Sequence, residues 1–268
     1  MTMTSAVLKC GPIFITSIDK GFKRMRINSE SGFTLIELAI VIVIVGIITS
    51  VAVINMSSSL DTSKAESTKT ELDALAYAIV GNPQLATNGA RTDFGYVGDV
   101  GALPVNLDAL VQNPGGYSTW KGPYIDRGNA STDDFKKDGW GVNYNFTDTL
   151  IRSTGGGSNI DKIYAPTRAS LLSNTISGYV VDASHSMPGT TYKDSLSLRL
   201  TIPNGSGGTS VTSTNPDAQG SFNFSNVPIG NHTMTAIYVP DSDTMRYNIT
   251  VKPSSTVKLD IIFPHDLW

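Results

Sequence analysis

Cysteine is almost missing from these 268 residues: Cys10 stands alone, so the chain has no internal disulfide and no thiolate metal cage. Histidine is scarce as well, and His185, His232 and His265 lie far apart, without the spacing of a metal site. There is no surplus of basic charge, since 20 Lys and Arg face 23 Asp and Glu for a net charge of -3. Nucleic acid is therefore not an expected partner. Charged residues make up only 16% and hydrophobic ones 40%, which excludes general disorder and leaves length for one large domain or two modest ones. Nowhere do titratable residues gather around a nucleophile, so an exported enzyme ranks last among the function classes.

Against these absences stands one long apolar run. From Phe33 to Ile54 the chain reads FTLIELAIVIVIVGIITSVAVI, with Glu37 as its only ionisable group. That is enough to span a bilayer as a helix. Lys20, Lys23, Arg24 and Arg26 precede it, and by the positive-inside rule they keep that end in the cytoplasm and send the rest outward. A cleaved secretory signal would have a shorter apolar core with a small-residue cleavage site beyond it. Here a polar, helix-compatible stretch follows instead, with Leu72, Leu75, Ala76 and Ile79 on one helical stripe. Gly81, Asn82 and Pro83 then stop the helix, which would run from Phe33 to Val80 for on the order of 70 Å. Glu37 is costly in an apolar span, and two readings relieve it: its head reaches the membrane interface, or it meets a positive charge on a neighbouring copy of the chain.

The residues SGFTLIE, Ser31 to Glu37, resemble the type IV prepilin signature. The resemblance implies cleavage between Gly32 and Phe33 by a membrane-embedded prepilin peptidase, and methylation of the new Phe33 amine. It also implies that this amine pairs with Glu37 of an adjacent subunit during assembly. Glycine before the cut suits a protease cleft, because without a Cβ the backbone can lie extended and close. A start at Met25 would leave MRINSESG, a short basic leader of the usual kind, and would place Cys10 outside the product. Many pilins carry proline where Ile54 stands, so helix loosening near Gly46 lacks that breaker here.

Beyond Val80 the chain turns polar and turn-rich, as an extracytoplasmic head would. Asn106 to Val111 reads as a short helix with Leu107 and Leu110 inward, and Val142 to Phe146 alternates like a strand, predicting a small sheet laid on the long helix. LPVNLDALV, WKGPYI (Trp120 to Ile125) and DGWGVNYNF (Asp138 to Phe146) are similar to the head of the major pseudopilin of type II secretion systems. Trp120, Tyr124, Trp140 and Tyr144 are read as core and turn residues. In that family a loop after the second tryptophan segment holds calcium. In the corresponding RSTGGGSNIDKI, Arg152 to Ile163, Asp161 is the candidate calcium ligand and Lys162 stands where a second carboxylate is expected.

The last 90 or so residues alternate as successive short strands separated by Gly and Asn turns, predicting a small antiparallel sandwich. SGYVVDASHSMPG and DAQGSFNFSNVPIG resemble the carboxypeptidase regulatory-like, transthyretin-like sandwich, a mostly non-catalytic spacing or adhesion module. Asp182 and His185 in its first loop read as surface polar groups.

The expected architecture is α+β. It comprises a leader at 1–32, a helix at 33–80 that is transmembrane over 33–54, a pilin-like head at 81–165, a linker at 166–176 and an all-β sandwich at 177–268. The expected function is a subunit of a type II secretion pseudopilus or a type IV pilus-like filament. It would begin in the bacterial inner membrane with its C-terminal part periplasmic. Its partners would be copies of itself, other pilins or pseudopilins, the peptidase and an inner-membrane assembly platform. The alternative is an unassembled, signal-anchored binding or adhesion protein. Beyond Gly32 the chain carries 15 basic and 21 acidic residues, so adhesion to anionic surfaces is not the role its overall charge suggests.

Overall fold

The computed structural model describes residues 32–126 and 133–268. The basic leader with Lys20, Lys23, Arg24 and Arg26, the Met25 start and Cys10 lie outside the described residues. Two compact units emerge, one ending at Val53 and the other spanning Ile54–Trp268.

An apolar run to Ile54, a polar but helix-compatible stretch after it and the near absence of breakers make one helix, α1, over Leu35–Val80. It carries no kink residue at Ile54, and Gly46 sits inside it with open space where a Cβ would be. Up to Val53 every residue of α1 is exposed. The hydroxyls in that segment are satisfied within the helix, Thr49 Oγ1 donating to the Val45 carbonyl (2.7 Å) and Ser50 Oγ to Gly46 (2.8 Å). In the second unit the stripe read from the sequence is covered: Leu72, Leu75, Ala76 and Ile79 are buried, with Thr68 and Ala78. Burying one leucine-sized side chain stabilises by about 1.5–3 kcal/mol, so this stripe fastens the head to the helix. Gly81, with φ +80°, ends α1, and a Cβ there would collide with the Asp93 backbone at 2.3 Å.

The head then runs through β1 (Ala86–Thr87), β2 (Ala90–Arg91), α2 (Gly95–Val100) and a 3-10 turn at Leu107–Leu110. Asn106 caps that turn by accepting from Ala109 N, and Leu107 and Leu110 point inward as expected. β3 (Asn145–Phe146), β4 (Leu150–Ser153) and β5 (Ile160–Ile163) form a three-stranded antiparallel sheet. The strand expected over Val142 to Phe146 shrinks to β3, because Asp138 holds the preceding residues in a turn. Phe94, Tyr96, Val97, Val100, Leu110 and Ile151 join the α1 stripe in one core.

The stretch 166–176, expected as a linker, holds α3 (Arg168–Leu172), capped by Thr167, and the start of β6 (Asn174–Val181). Leu171 is fully buried in the head core, which explains why this stretch is not a free tether. After the short α4 (Gly189–Tyr192) come β7 (Leu196–Pro203), β8 (Thr209–Thr214), β9 (Ser221–Val227), β10 (Gly230–Tyr238) and β11 (Asp243–Val251). β12 (Thr256–Lys258) and β13 (Ile261–Ile262) end the chain. One sheet has the order β11-β10-β7-β8, and opposite it β6 pairs with β9 on one edge and with β12 and β13 on the other. The last two strands run parallel to β6, where an all-antiparallel sandwich was expected. They are split around Leu259, whose carbonyl lies so close to Gly178 that a Cβ there would sit 1.8 Å from it. Leu196, Leu198, Leu200, Phe222, Met234 and Phe263 fill the space between the sheets.

Head and sandwich are joined through backbone. Ile229 of the sandwich belongs to the head core, and its N–H donates to the Leu171 carbonyl at 2.8 Å. Gly205 N donates to Val100 O (2.9 Å), Ser118 N to Gly207 O (2.8 Å) and Ser254 N to Ser170 O (3.0 Å). The whole is an α+β chain: a long apolar N-terminal helix followed by a β-rich region of several sheets.

Candidate functional site

The start of α1 brings together the residues singled out for processing and assembly. Thr34 precedes the helix, and its hydroxyl oxygen accepts from Glu37 N at 3.2 Å while its carbonyl accepts from Leu38 N at 3.1 Å. Glu37 thereby sits in the first turn, where the partial positive charge of unpaired N–H groups favours a carboxylate. Gly32 and Phe33 lie just outside the helix in non-helical backbone, both exposed, with nothing within 4 Å of where a Gly32 Cβ would be. Phe33 is 78% exposed, and the apolar residues after it are bare as well. By length and composition α1 can cross a membrane, and none of its apolar window is buried by the described residues. The described part of this unit therefore presents an apolar surface that no described residue covers, with one carboxylate at its start.

The second unit shows how the head grips its part of α1. Asp138 is the hub. Its Oδ1 accepts from Trp140 N and Val142 N, both 3.0 Å, and its Oδ2 from Ser153 Oγ (2.6 Å) and Gly155 N (3.0 Å). Burial alone would raise this carboxyl, but the donors from Ser153, Val142, Gly155 and Trp140 outweigh it and hold it below the ordinary aspartate range. The turn so fixed presses on α1: Gly139 N donates to Thr68 Oγ1 at 3.0 Å, and a Cβ on Gly139 would lie 2.8 Å from the Lys64 carbonyl. Tyr144 donates its hydroxyl to Glu71 (2.7 Å), Trp140 Nε1 to Asp61 (3.3 Å), and Lys162 pairs with Asp73 (2.5 Å). Trp120 donates to the Ala109 carbonyl (2.9 Å) and meets Tyr124 edge to face, which places it in the core as read.

Asp161 does not fit a calcium site. Both its carboxylate oxygens accept from Arg152, Oδ1 from Nε at 2.6 Å and Oδ2 from Nη2 at 2.7 Å. A carboxylate closed bidentately on a guanidinium has little left for a metal, and a hard cation needs six or more oxygens. Among the described residues no group of three or more His, Cys, Asp or Glu could hold a metal ion. The cation that balances Asp161 is Arg152, and Lys162 balances Asp73.

Asp138 escaped the sequence reading, although an Asp ahead of Gly-Trp-Gly is a turn signal of the kind whose side chain bonds its own backbone. Asp182 also differs from expectation: it is fully buried rather than a surface group. Its Oδ1 accepts from Ser184 Oγ (2.9 Å) and Ser186 N (2.8 Å), which shapes the loop in which His185 takes φ +62°. Among the described residues no imidazole hydrogen-bonds either serine, and the arrangement is a turn rather than a reactive site.

Residues 27–53 match the prokaryotic N-terminal methylation motif, so the prepilin-type signal is present. The chain is 36% identical over 95 residues to type II secretion system core protein G of Xanthomonas campestris pv. campestris. That stretch covers 35% of this chain and 57% of the relative, so the chain spans less than two thirds of the protein it matches. Among solved structures, the dioxygenase domain of a carbohydrate-binding fusion from Streptomyces sp. SirexAA-E is similar at 13% identity and TM-score 0.26, over 35% of this chain and 80% of that one. The TIE protein of Bacillus anthracis is similar at 15% identity and TM-score 0.28, over 45% and 23%. These structural likenesses are too distant to bear on function.

Proposed function

We propose that the chain is a structural subunit of a type II secretion pseudopilus or a type IV pilus-like filament, with no catalytic turnover of its own. The observation that carries this reading is the bare apolar helix with Glu37 in its first turn, lying within the methylation-motif match at residues 27–53. Similarity to core protein G supports the secretion form. Prepilin peptidase hydrolyses the Gly32–Phe33 bond on the cytoplasmic side, and the Phe33 amine is then methylated. The helix stays in the bacterial inner membrane while head and sandwich face the periplasm. On the assembly platform the apolar surface of α1 exchanges lipid for the helices of other copies or other pilins. Glu37 and the still cationic Phe33 amine of a neighbour neutralise each other in that low-dielectric bundle and fix the stagger. The Asp138 turn and the Tyr144–Glu71 and Lys162–Asp73 contacts hold the head on its own part of α1, from Ile54 onward.

The test is the intact mass and amino-terminal sequence of the protein from native membranes. A methylated Phe33 terminus is expected, and replacing Gly32 by Leu should leave the precursor uncut. An unprocessed amino terminus in the unaltered protein would favour an unassembled signal-anchored binding protein.

A further inference from the structure

The outer face of the β11-β10-β7-β8 sheet carries charge of one sign only. In antiparallel pairs, residues opposite each other project to the same side. Thr235 on the inner strand β10 is opposite Arg246 on one side and Arg199 on the other, and Arg199 is opposite Ser213 of β8. The neighbours Leu198, Leu200, Met234 and Ala236 are buried in the sandwich, so this row points outward. Both arginines are exposed. Neither guanidinium has a hydrogen-bond or ion-pair partner among the described residues. Two strand spacings put their backbones about 10 Å apart.

Around them the face is uncharged and hydroxyl-rich. The next row holds Thr201, Thr233 and Asn248, with the single exposed apolar side chain of Val211 at its β8 end. It opens into a groove against the head that is lined by both Lys121 and Asp99, which pair with each other at 2.9 Å. In a chain with more acidic than basic residues, an acid-free face with two unpaired arginines is a local reversal of charge.

We propose that this face docks an extended acidic polysaccharide, with carboxylates on Arg199 and Arg246 and sugar hydroxyls on the threonines and Asn248. A guanidinium presents a planar fork that takes a carboxylate by two parallel hydrogen bonds. The flat, hydrogen-bonding surface between the arginines suits a polymer lying across the strands. The same face lacks the stacking aromatics and numerous cations that a single-stranded nucleic acid would need. It also lacks the apolar ridge that an anionic membrane surface would need. The proposal does not depend on filament assembly.

The experiment is binding of the full chain in detergent to polygalacturonate, with dextran as a neutral polysaccharide and single-stranded DNA as a different polyanion. Expected are saturable binding to polygalacturonate that weakens with salt, and a loss of about tenfold or more in the Arg199→Gln/Arg246→Gln double variant. Thermal unfolding of that variant should match the parent, since both side chains are exposed. Thr235→Glu keeps both arginines but sets a carboxylate between them, and it should abolish binding equally. The proposal is overturned if the parent does not bind polygalacturonate at low salt, or if either variant binds as the parent does. Equal binding of dextran, or tighter binding of DNA, overturns it as well.

Discussion

The two halves of α1 have one backbone and opposite surroundings. Up to Val53 the helix is apolar on every side and covered by nothing among the described residues, whereas from Thr68 to Ile79 only one stripe is apolar and the head covers it. An all-round apolar helix asks for a solvent that is itself apolar, while a striped one asks for a single packed neighbour. The first half therefore calls for an apolar surrounding, which in the proposed function changes from lipid to protein, whereas the second half has its partner in the head.

The contrast is sharpest at Glu37. If the first half makes its contacts only on assembly, Glu37→Ala should leave membrane insertion and head unfolding unchanged while lowering filament yield by about tenfold or more. Filament recovered by shearing or pull-down, normalised to membrane-bound subunit, measures it. Normal yield would remove the ion pair with the Phe33 amine.

Next in size is a pair of cavity substitutions. Leu72→Ala, in the covered half, should cost about 2–5 kcal/mol and lower the unfolding midpoint by roughly 2–4 °C for each kcal/mol lost. Ile44→Ala, in the bare half, should leave that midpoint in detergent where it was. Equal shifts for both would mean that the first half also packs on its own chain.

Asp138 sharpens the comparison within the covered half, since the hold on α1 is polar as well as apolar. Asp138→Ala strands the donors of Ser153, Gly155, Trp140 and Val142 and should cost about 1–3 kcal/mol. The sign with pH follows from the depressed carboxyl, which is lower in the folded than in the unfolded chain. Its contribution is present above the ordinary aspartate value and is lost as pH falls through the folded value. Acid titration of the unfolding midpoint should therefore be steeper below about pH 4 for the parent than for Asp138→Asn.

Much of this was legible in the residues. The two kinds of helix half differ in period, and period reads directly from sequence; Leu72, Leu75, Ala76 and Ile79 are buried as spaced. The strands of the sandwich alternate and are separated by turn residues, so they were legible too. What was not legible depends on pairing between distant segments. That β12 and β13 run parallel to β6 follows from where the chain returns, not from their own composition. Arg199 and Arg246 are 47 positions apart and become one row only through the register with Thr235. The stretch 166–176 reads as helix-compatible or linker, and what decides is packing with distant segments: Leu171 is buried in the head core with Leu172 against it, and Ile229 N–H bonds the Leu171 carbonyl.

The smallest expected effect is a null one, and it separates this head from the family it resembles. A bound ion that recognises only the folded state stabilises it by about 2.7 kcal/mol at a hundredfold excess over its dissociation constant, which would raise the midpoint by several degrees. In this head the carboxylate expected to hold calcium is closed on Arg152, and Lys162 reaches Asp73 of α1 from the same strand. Arg152 takes both oxygens of that carboxylate, and unlike a metal it cannot be removed by a chelator. Calcium and chelator should then give unfolding midpoints within about 1 °C of each other, whereas Asp161→Ala should lower the midpoint equally in both. A calcium-dependent rise that Asp161→Ala eliminates would instead place the ion in the β4–β5 loop and make Arg152 its competitor.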